Sequence, residues 1–265
     1  MVAIFLQRKY IWHYGRDIGK GIRMNNTIKL SNKGHTRIIA HRGMSGLEPE
    51  NTHAAFVAAG NRSYYGIEAD VHKTADGKFV IMHDGNTLRT CGDDIEISKA
   101  TYETLRNLRL KQKDGKRGRA DLRIPSMQEY LEICKYYDKK AILELKDDFT
   151  SEDIEEIICL CEALEYMEQT VFISFKLNNL LLLKEKRPEQ SAQYLTKQDI
   201  DDALIRDLAE KHIGIDAYFL RFTEEILRKC RDKGVETNAW TVDDLDTAAQ
   251  LIDWGIDFIT TNILE

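Results

Sequence analysis

Short apolar runs that alternate with helical stretches predict an α/β fold, a (β/α)8 TIM barrel with a small β-hairpin insertion after its second strand. Three observations carry this expectation. The length of 265 residues is close to the roughly 250 that one such barrel occupies. From residue 37 onward, nine strand-like runs are separated by eight helical patterns. The dipeptide Asp76-Gly77 is a two-residue hairpin signal, so one of the nine runs folds back and leaves eight for the barrel. An open doubly wound sheet is the alternative, but no Gly-rich dinucleotide turn follows the first strand.

In chain order, residues 1–36 read as an N-terminal extension of unknown role, and residues 37–265 as the barrel domain. Met24 offers an alternative start within the extension, and the intact mass of the native protein decides between it and Met1. The strand runs are Arg37–His41, Gly66–Asp70, Phe79–His83, Ala141–Leu145, Val171–Phe175, Ala192–Leu195, Ala217–Leu220, Val235–Trp240 and Phe258–Thr261. Phe79–His83 is the arm that returns from Asp76-Gly77. The helices are Asn51–Gly60, Lys99–Leu108, Ser126–Tyr137, Ser151–Tyr166, Leu177–Lys186, Asp199–Lys211, Thr223–Lys233 and Asp243–Trp254. Ser126 and Ser151 stand where N-caps belong, and Gly234 where a C-cap glycine does. The basic stretch Leu110–Arg123 reads as a solvated surface loop.

Bulk properties exclude several classes. Lys and Arg number 38 against 44 Asp and Glu, a formal charge of −6, which gives no basic field for nucleic acid. No run of about 18 apolar residues exists, so no stable membrane insertion is expected. The apolar start Met1–Leu6 precedes its charges and is too short for a secretory signal, which points to a cytoplasmic protein. The five cysteines show no C-x-x-C spacing and read as small buried apolar residues rather than a zinc site. Oligomeric state has no signature in the sequence.

Active sites of such barrels lie at the C-terminal strand ends. Four neighbouring elements end in ionisable groups there: His41-Arg42, Glu68-Ala69-Asp70, His83-Asp84 and Glu144-Leu145-Lys146. Glu68 and Asp70 are two apart on a strand and face the same way, into the barrel mouth. Two such carboxylates repel unless a cation compensates, and Glu144 adds a third. That set suits one hard divalent cation, Mg²⁺ or Ca²⁺; a solvated acidic rim paired with Lys146 and Arg42 is the plain alternative. His41 and His83 titrate near neutrality, and two imidazoles on opposite sides of a phosphate provide a general base and a general acid. Arg42 offers a planar fork for phosphate oxygens or for a barrel carboxylate. Glu50 at the first helix start is placed to orient His41 or touch the metal shell, while Asn51 or Thr52 caps that helix. Trp240 ends its strand as an apolar plate beside a glycerol moiety, or as plain rim packing. His13, His35, His53, His72 and His212 fall outside the cluster as surface or core residues.

The pattern resembles the glycerophosphodiester phosphodiesterase family. The likeness rests on Ile39-Ala40-His41-Arg42-Gly43, Pro49-Glu50-Asn51-Thr52, Gly66-Ile67-Glu68-Ala69-Asp70-Val71 and His83-Asp84 with Leu88-Arg89-Thr90. It continues in Leu143-Glu144-Leu145-Lys146, Ser174-Phe175, Trp240-Thr241-Val242 and Ile259-Thr260-Thr261-Asn262. The resemblance spans residues 37–264. It implies a cation-dependent barrel enzyme acting on a small-molecule glycerophosphodiester to give glycerol 3-phosphate and an alcohol. By position, Glu68, Asp70 and Glu144 would be metal ligands, His41 and His83 the acid–base pair, Arg42 the phosphate clamp, and Lys146 and Glu50 supporting residues. Two departures stand out: Tyr64-Tyr65 occupy positions where small residues often precede the second strand, and Thr261–Leu264 lacks a proline often found there. Rival readings are a lysophospholipase D-type enzyme on the same site, and a catalytically silent barrel that only binds glycerophosphodiesters.

Overall fold

The computed structural model describes residues 26–265; the proposed start at Met24, with His13 and the rest of residues 1–25, lies outside the described residues. Eight parallel strands form the barrel: β1 (Arg37–Ala40), β2 (Gly66–Lys73), β4 (Lys140–Leu145), β5 (Thr170–Ser174), β6 (Ala192–Thr196), β7 (Gly214–Tyr218), β8 (Thr237–Trp240) and β9 (Phe258–Thr261). The ring closes because β1 pairs with both β9 and β2. The ninth strand, β3 (Phe79–Ile81), lies antiparallel on the outer end of β2, with Lys73 opposite Phe79 across the Asp76-Gly77 turn. The expected barrel and hairpin are therefore both present.

Burial explains why these runs become strands. Ile39, Ile142, Ile173, Leu195 and Phe258 point inward and plug the barrel below its mouth. Each such side chain removed from water contributes about 1.5–3 kcal/mol. The outward faces of the strands pack under the helices α1 (His53–Gly60), α4 (Met127–Tyr136), α5 (Ser151–Ala163), α6 (Leu177–Lys186), α7 (Asp202–Glu210), α8 (Glu224–Asp232) and α9 (Leu245–Asp253). Caps fix several helix starts. Ser126 and Glu129 form a reciprocal capping box on α4. On α5 the cap is Thr150 rather than the expected Ser151, because Thr150 has the extended backbone and accepts from Asp153 N.

Three expectations change. The run Ala217–Leu220 starts three residues late: the strand is Gly214–Tyr218, and Phe219–Arg221 is a 3-10 turn. Gly214 and the buried Asp216 broke the apolar pattern that marks a strand. The helix expected over Lys99–Leu108 is a 3-10 turn at Ile97–Lys99 followed by α3 (Tyr102–Asn107), capped by Thr101. The insertion is also larger than a hairpin. After β3 the chain adds α2 (Leu88–Cys91) and α3, and buries its own small core of Val80, Met82, Cys91, Ile97, Leu105 and Leu122. Leu110 belongs to that core too, so the solvated surface loop expected over Leu110–Arg123 is exposed between ends anchored by Leu110 and Leu122.

The segment before β1 joins the chain terminus. Ile28 and Leu30 donate backbone hydrogen bonds to Ile263 and Glu265, and the Glu265 carboxylate accepts from Thr27 Oγ1 at 2.6 Å and Ser63 N at 2.8 Å.

Candidate active site

The mouth is assembled where β1 leaves the barrel. Arg42 has φ +54° and Gly43 φ +74°. A Cβ on Gly43 would lie 2.7 Å from the Ala55 carbonyl carbon, so only glycine lets the chain pass α1. Arg42 is not glycine, and its left-handed backbone is held by its N–H, which donates to Glu68 Oε2 at 2.7 Å.

Glu68, Asp70 and Glu144 offer carboxylate oxygens that all lie within 4.8 Å of one another, and all three residues are buried. The strand register forces this, since Asp70 stands opposite Glu144 across β2 and β4. Burial and the Asp70 charge drive the Glu68 carboxyl well above its ordinary value. Burial, then Asp70, pushes Glu144 up to about 7, against the opposing pull of Lys146. Burial acts the same way on Asp70, but Lys146 and Arg42 outweigh it and hold Asp70 well below the usual carboxylate range. Lys146 Nζ lies 2.8 Å from Glu144 and 3.2 Å from Asp70. Arg42 Nε is ion-paired with Asp70 Oδ2 at 3.5 Å, and that oxygen accepts a hydrogen bond from Asn51 Nδ2 at 2.7 Å. Asp70 Oδ1 is buried without a well-formed hydrogen bond. An all-oxygen donor set with an underused buried oxygen fits a hard divalent cation.

The two histidines have different supports. His41 Nδ1 lies 2.8 Å from Asn262 Oδ1, which also accepts from Ser45 Oγ. Asn262 Nδ2 donates to Asp243 Oδ2 at 2.6 Å, which fixes the amide and makes its oxygen the acceptor. His41 therefore carries its proton on Nδ1 and turns Nε2 to the acids, 4.0 Å from Glu68 Oε2. Burial, then Arg42, lowers its pKa to about 4. His83 Nδ1 instead meets a carboxylate, Asp84 Oδ1, at 2.7 Å. Burial lowers its pKa as well, while Asp70 and Asp84 oppose the shift.

Arg89 links this second histidine to the first strand. Its guanidinium binds Asp84 at 2.6 Å and takes Glu50 in a two-point clasp at 2.7 and 2.9 Å. Glu50 Oε1 in turn accepts from Arg42 Nη1 at 2.9 Å. Glu50 thus touches Arg42 and Arg89, and its contacts do not include the expected His41. Trp240 stands at the end of β8, its Nε1 donating to Asp216 O at 3.2 Å, with Phe175 edge-on at 5.6 Å between centroids. A cavity of about 310 Å³ opens beside Glu50 and Arg89 and is walled by Ser45, Glu48, Gln112 and Lys113 of the insertion.

All nine residues singled out in the sequence occupy this rim. The sequence reading missed the residues behind them. Asn51 is not the helix cap, which is Thr52; it reaches Asp70 instead. Asp84 and Arg89 sit in motifs already noted, and adjacency to His83 was the available signal for Asp84. Asn262 also ends a motif already noted, whereas Asp243 gave no signal, because its contact with Asn262 depends on the turn after β8. His72 is a core residue, bonded to Asp147 at 2.7 Å.

Residues 41–265 match the model of the Glycerophosphoryl diester phosphodiesterase family. A relative named glycerophosphodiester phosphodiesterase, from Caldanaerobacter subterraneus subsp. tengcongensis, is 29% identical over 86% of this chain and 94% of its own length. Among solved structures, an Oleispira antarctica phosphodiesterase in complex with the product sn-glycerol-3-phosphate superposes with a TM-score of 0.77 at 27% identity, covering 85% of this chain and 92% of that one. A glycerophosphodiester phosphodiesterase from Thermotoga maritima gives 0.71 at 25% identity, covering 87% and 96%.

Proposed function

This chain belongs to the glycerophosphoryl diester phosphodiesterase family, and from that premise we propose that it hydrolyses glycerophosphodiesters to glycerol 3-phosphate and an alcohol with a divalent cation and two histidines. The observation that carries the reading is the buried triad Glu68, Asp70 and Glu144, flanked by the two histidines on separate elements. Glu68, Asp70 and Glu144 would hold one Mg²⁺ or Ca²⁺, which when bound neutralises charge on the phosphate and acidifies the attacking hydroxyl.

The chain's own residues do the rest. Arg42 and Lys146, already beside the acids, clamp the remaining phosphate oxygens. Glu50 and Arg89 brace Arg42. His41, with its proton fixed on Nδ1, presents a free Nε2 and takes the proton of the attacker, either water or the glycerol 2-hydroxyl. The second route passes through a cyclic phosphate. His83, backed by the Asp84 carboxylate, is supported as the proton carrier and protonates the leaving alkoxide. Trp240 packs against the carbon skeleton of the substrate.

The test is glycerol 3-phosphate release from a panel of headgroups, with chelator and then with Mg²⁺ or Ca²⁺ restored. Release that needs the ion supports the reading. No release from any headgroup under either ion would leave a silent binding barrel, and faster turnover of lysophospholipids would point to lysophospholipase D chemistry.

A further inference from the structure

Four consecutive strand ends, β5 to β8, each bring one residue to the rim away from the acids. Phe175 follows β5, Lys197 follows β6, Tyr218 ends β7 and Trp240 ends β8. Around the ring these strands run together, opposite the block formed by β1, β2 and β4. The rings pack on one another, with Phe175 and Tyr218 at 5.6 and 6.1 Å from Trp240. The Lys197 ammonium lies over two of them, 5.8 Å from the Phe175 centroid and 5.6 Å from that of Trp240. Lys197 is exposed and forms no ion pair among the described residues, while its neighbour Asp199 is taken by Arg221 at 2.8 Å.

An aromatic set of this kind, left open, attracts quaternary ammonium groups. Here the protein's own cation already covers the ring faces. A choline arm would have to displace Lys197 and then sit beside a like charge. An arm bearing phosphate or carboxylate would gain a charge-assisted hydrogen bond from Lys197 while its carbons lie on Trp240. In-line displacement at phosphorus sends the two substituents in opposite directions. The cavity beside Ser45, Glu48, Glu50, Arg89 and Gln112 offers polar groups for the hydroxyls of glycerol and apolar ones for its carbons, which leaves the aromatic side for the leaving alcohol and assigns Trp240 to that alcohol rather than to glycerol.

We propose that Lys197, seated on Phe175 and Trp240, determines specificity: it selects glycerophosphodiesters whose leaving alcohol carries negative charge and disfavours quaternary ammonium alcohols. This rests on the phosphodiesterase reading above.

The experiment compares kcat/KM for glycerol 3-phosphate release from glycerophosphocholine, glycerophosphoglycerol and glycerophosphoinositol 4-phosphate in wild type, Lys197→Ala and Lys197→Arg. Wild type is expected to favour the phosphorylated inositol over choline by about tenfold or more, the scale of a hydrogen bond to a charged group. Lys197→Ala should collapse or invert that ratio, and Lys197→Arg should keep it. A wild type that prefers choline, or an unchanged ratio in a folded Lys197→Ala, would overturn the proposal. Failure of all three substrates, the neutral glycerol headgroup included, would overturn the phosphodiesterase reading and this inference with it.

Discussion

The two halves of the barrel rim solve different problems. Over β1 to β4 the site is dominated by ionisable side chains, and buried carboxylates crowd within 4.8 Å. Lys146 and Arg42 offset part of that charge, yet Glu68 and Glu144 stay above their ordinary values. Over β5 to β8 the rim is aromatic around Lys197, and the buried Asp216 and Asn238 of β7 and β8 lie below it. The Asp216 carboxyl is driven well up by burial and then by Glu144, so the buried layer beneath this rim resists carrying charge. The contrast teaches that, on the proposed function, chemistry and recognition are separable here: one half gathers buried acids that a cation would balance, and the other packs aromatic rings around a single lysine.

The strongest way to break this division is to remove a proposed proton carrier from the charged half. His83→Ala should lose on the order of 10²–10⁴-fold in kcat on alkyl headgroups. It should lose far less on a p-nitrophenyl phosphodiester, whose leaving group needs no protonation. His41→Ala should lose on both. Equal losses for His83→Ala on the two substrates would remove it from the acid role. Next comes its orienting partner: Asp84→Asn should cost on the order of 10–100-fold, the size seen for residues that orient a functional group through a second contact. Wild-type kcat in that variant would show that the 2.7 Å contact does not set the imidazole.

A third test titrates the charged half itself. With Glu144 raised to about 7, the metal-free site holds a proton that a cation must displace. Cation binding should therefore release protons and strengthen as pH rises toward and through 7. The sign for stability is the reverse. The native state keeps a proton that the unfolded chain loses near the ordinary value of 4.5, so the metal-free protein loses stability as pH rises from there to about 7. Calorimetry in buffers of different ionisation heat reads the proton, and a flat cation affinity from pH 5.5 to 8 would contradict it.

The charged half was also the more legible half in the sequence. A strand's period of two places Glu68 and Asp70 together without any structure, and a strand-end histidine followed by Arg42 needs only the barrel rule. What escaped were contacts made across turns. Asn262 reaches His41 because the chain bends after β9, and Asp243 holds it from the turn after β8. Neither bend follows from periodicity. β7 was misplaced for a related reason: Gly214 and Asp216 are unlike strand residues, and tertiary burial overrides their local preference. The insertion was read as a hairpin because Leu110 and Leu122 lie in a stretch dominated by basic residues, and only their packing on Val80 and Met82 reveals a second core.

The smallest expected effect lies in the aromatic half and decides whether the halves are independent. Trp240→Leu removes an aromatic face but keeps apolar volume, so it should raise KM by about two- to tenfold with little change in kcat, the pattern of lost uniform binding. Combined with Asp84→Asn, the free-energy losses should add to within about 0.5 kcal/mol, since the two side chains share no partner among the described residues. The shared element to watch is Asp216: Trp240 Nε1 is bonded to its backbone oxygen, and its carboxyl feels Glu144. If replacing Trp240 moved that strand, the disturbance would reach the acids, kcat would fall, and the double variant would depart from additivity. Additive losses would keep recognition and chemistry as two separate surfaces on one barrel, whereas coupling through β7 would merge them into a single site.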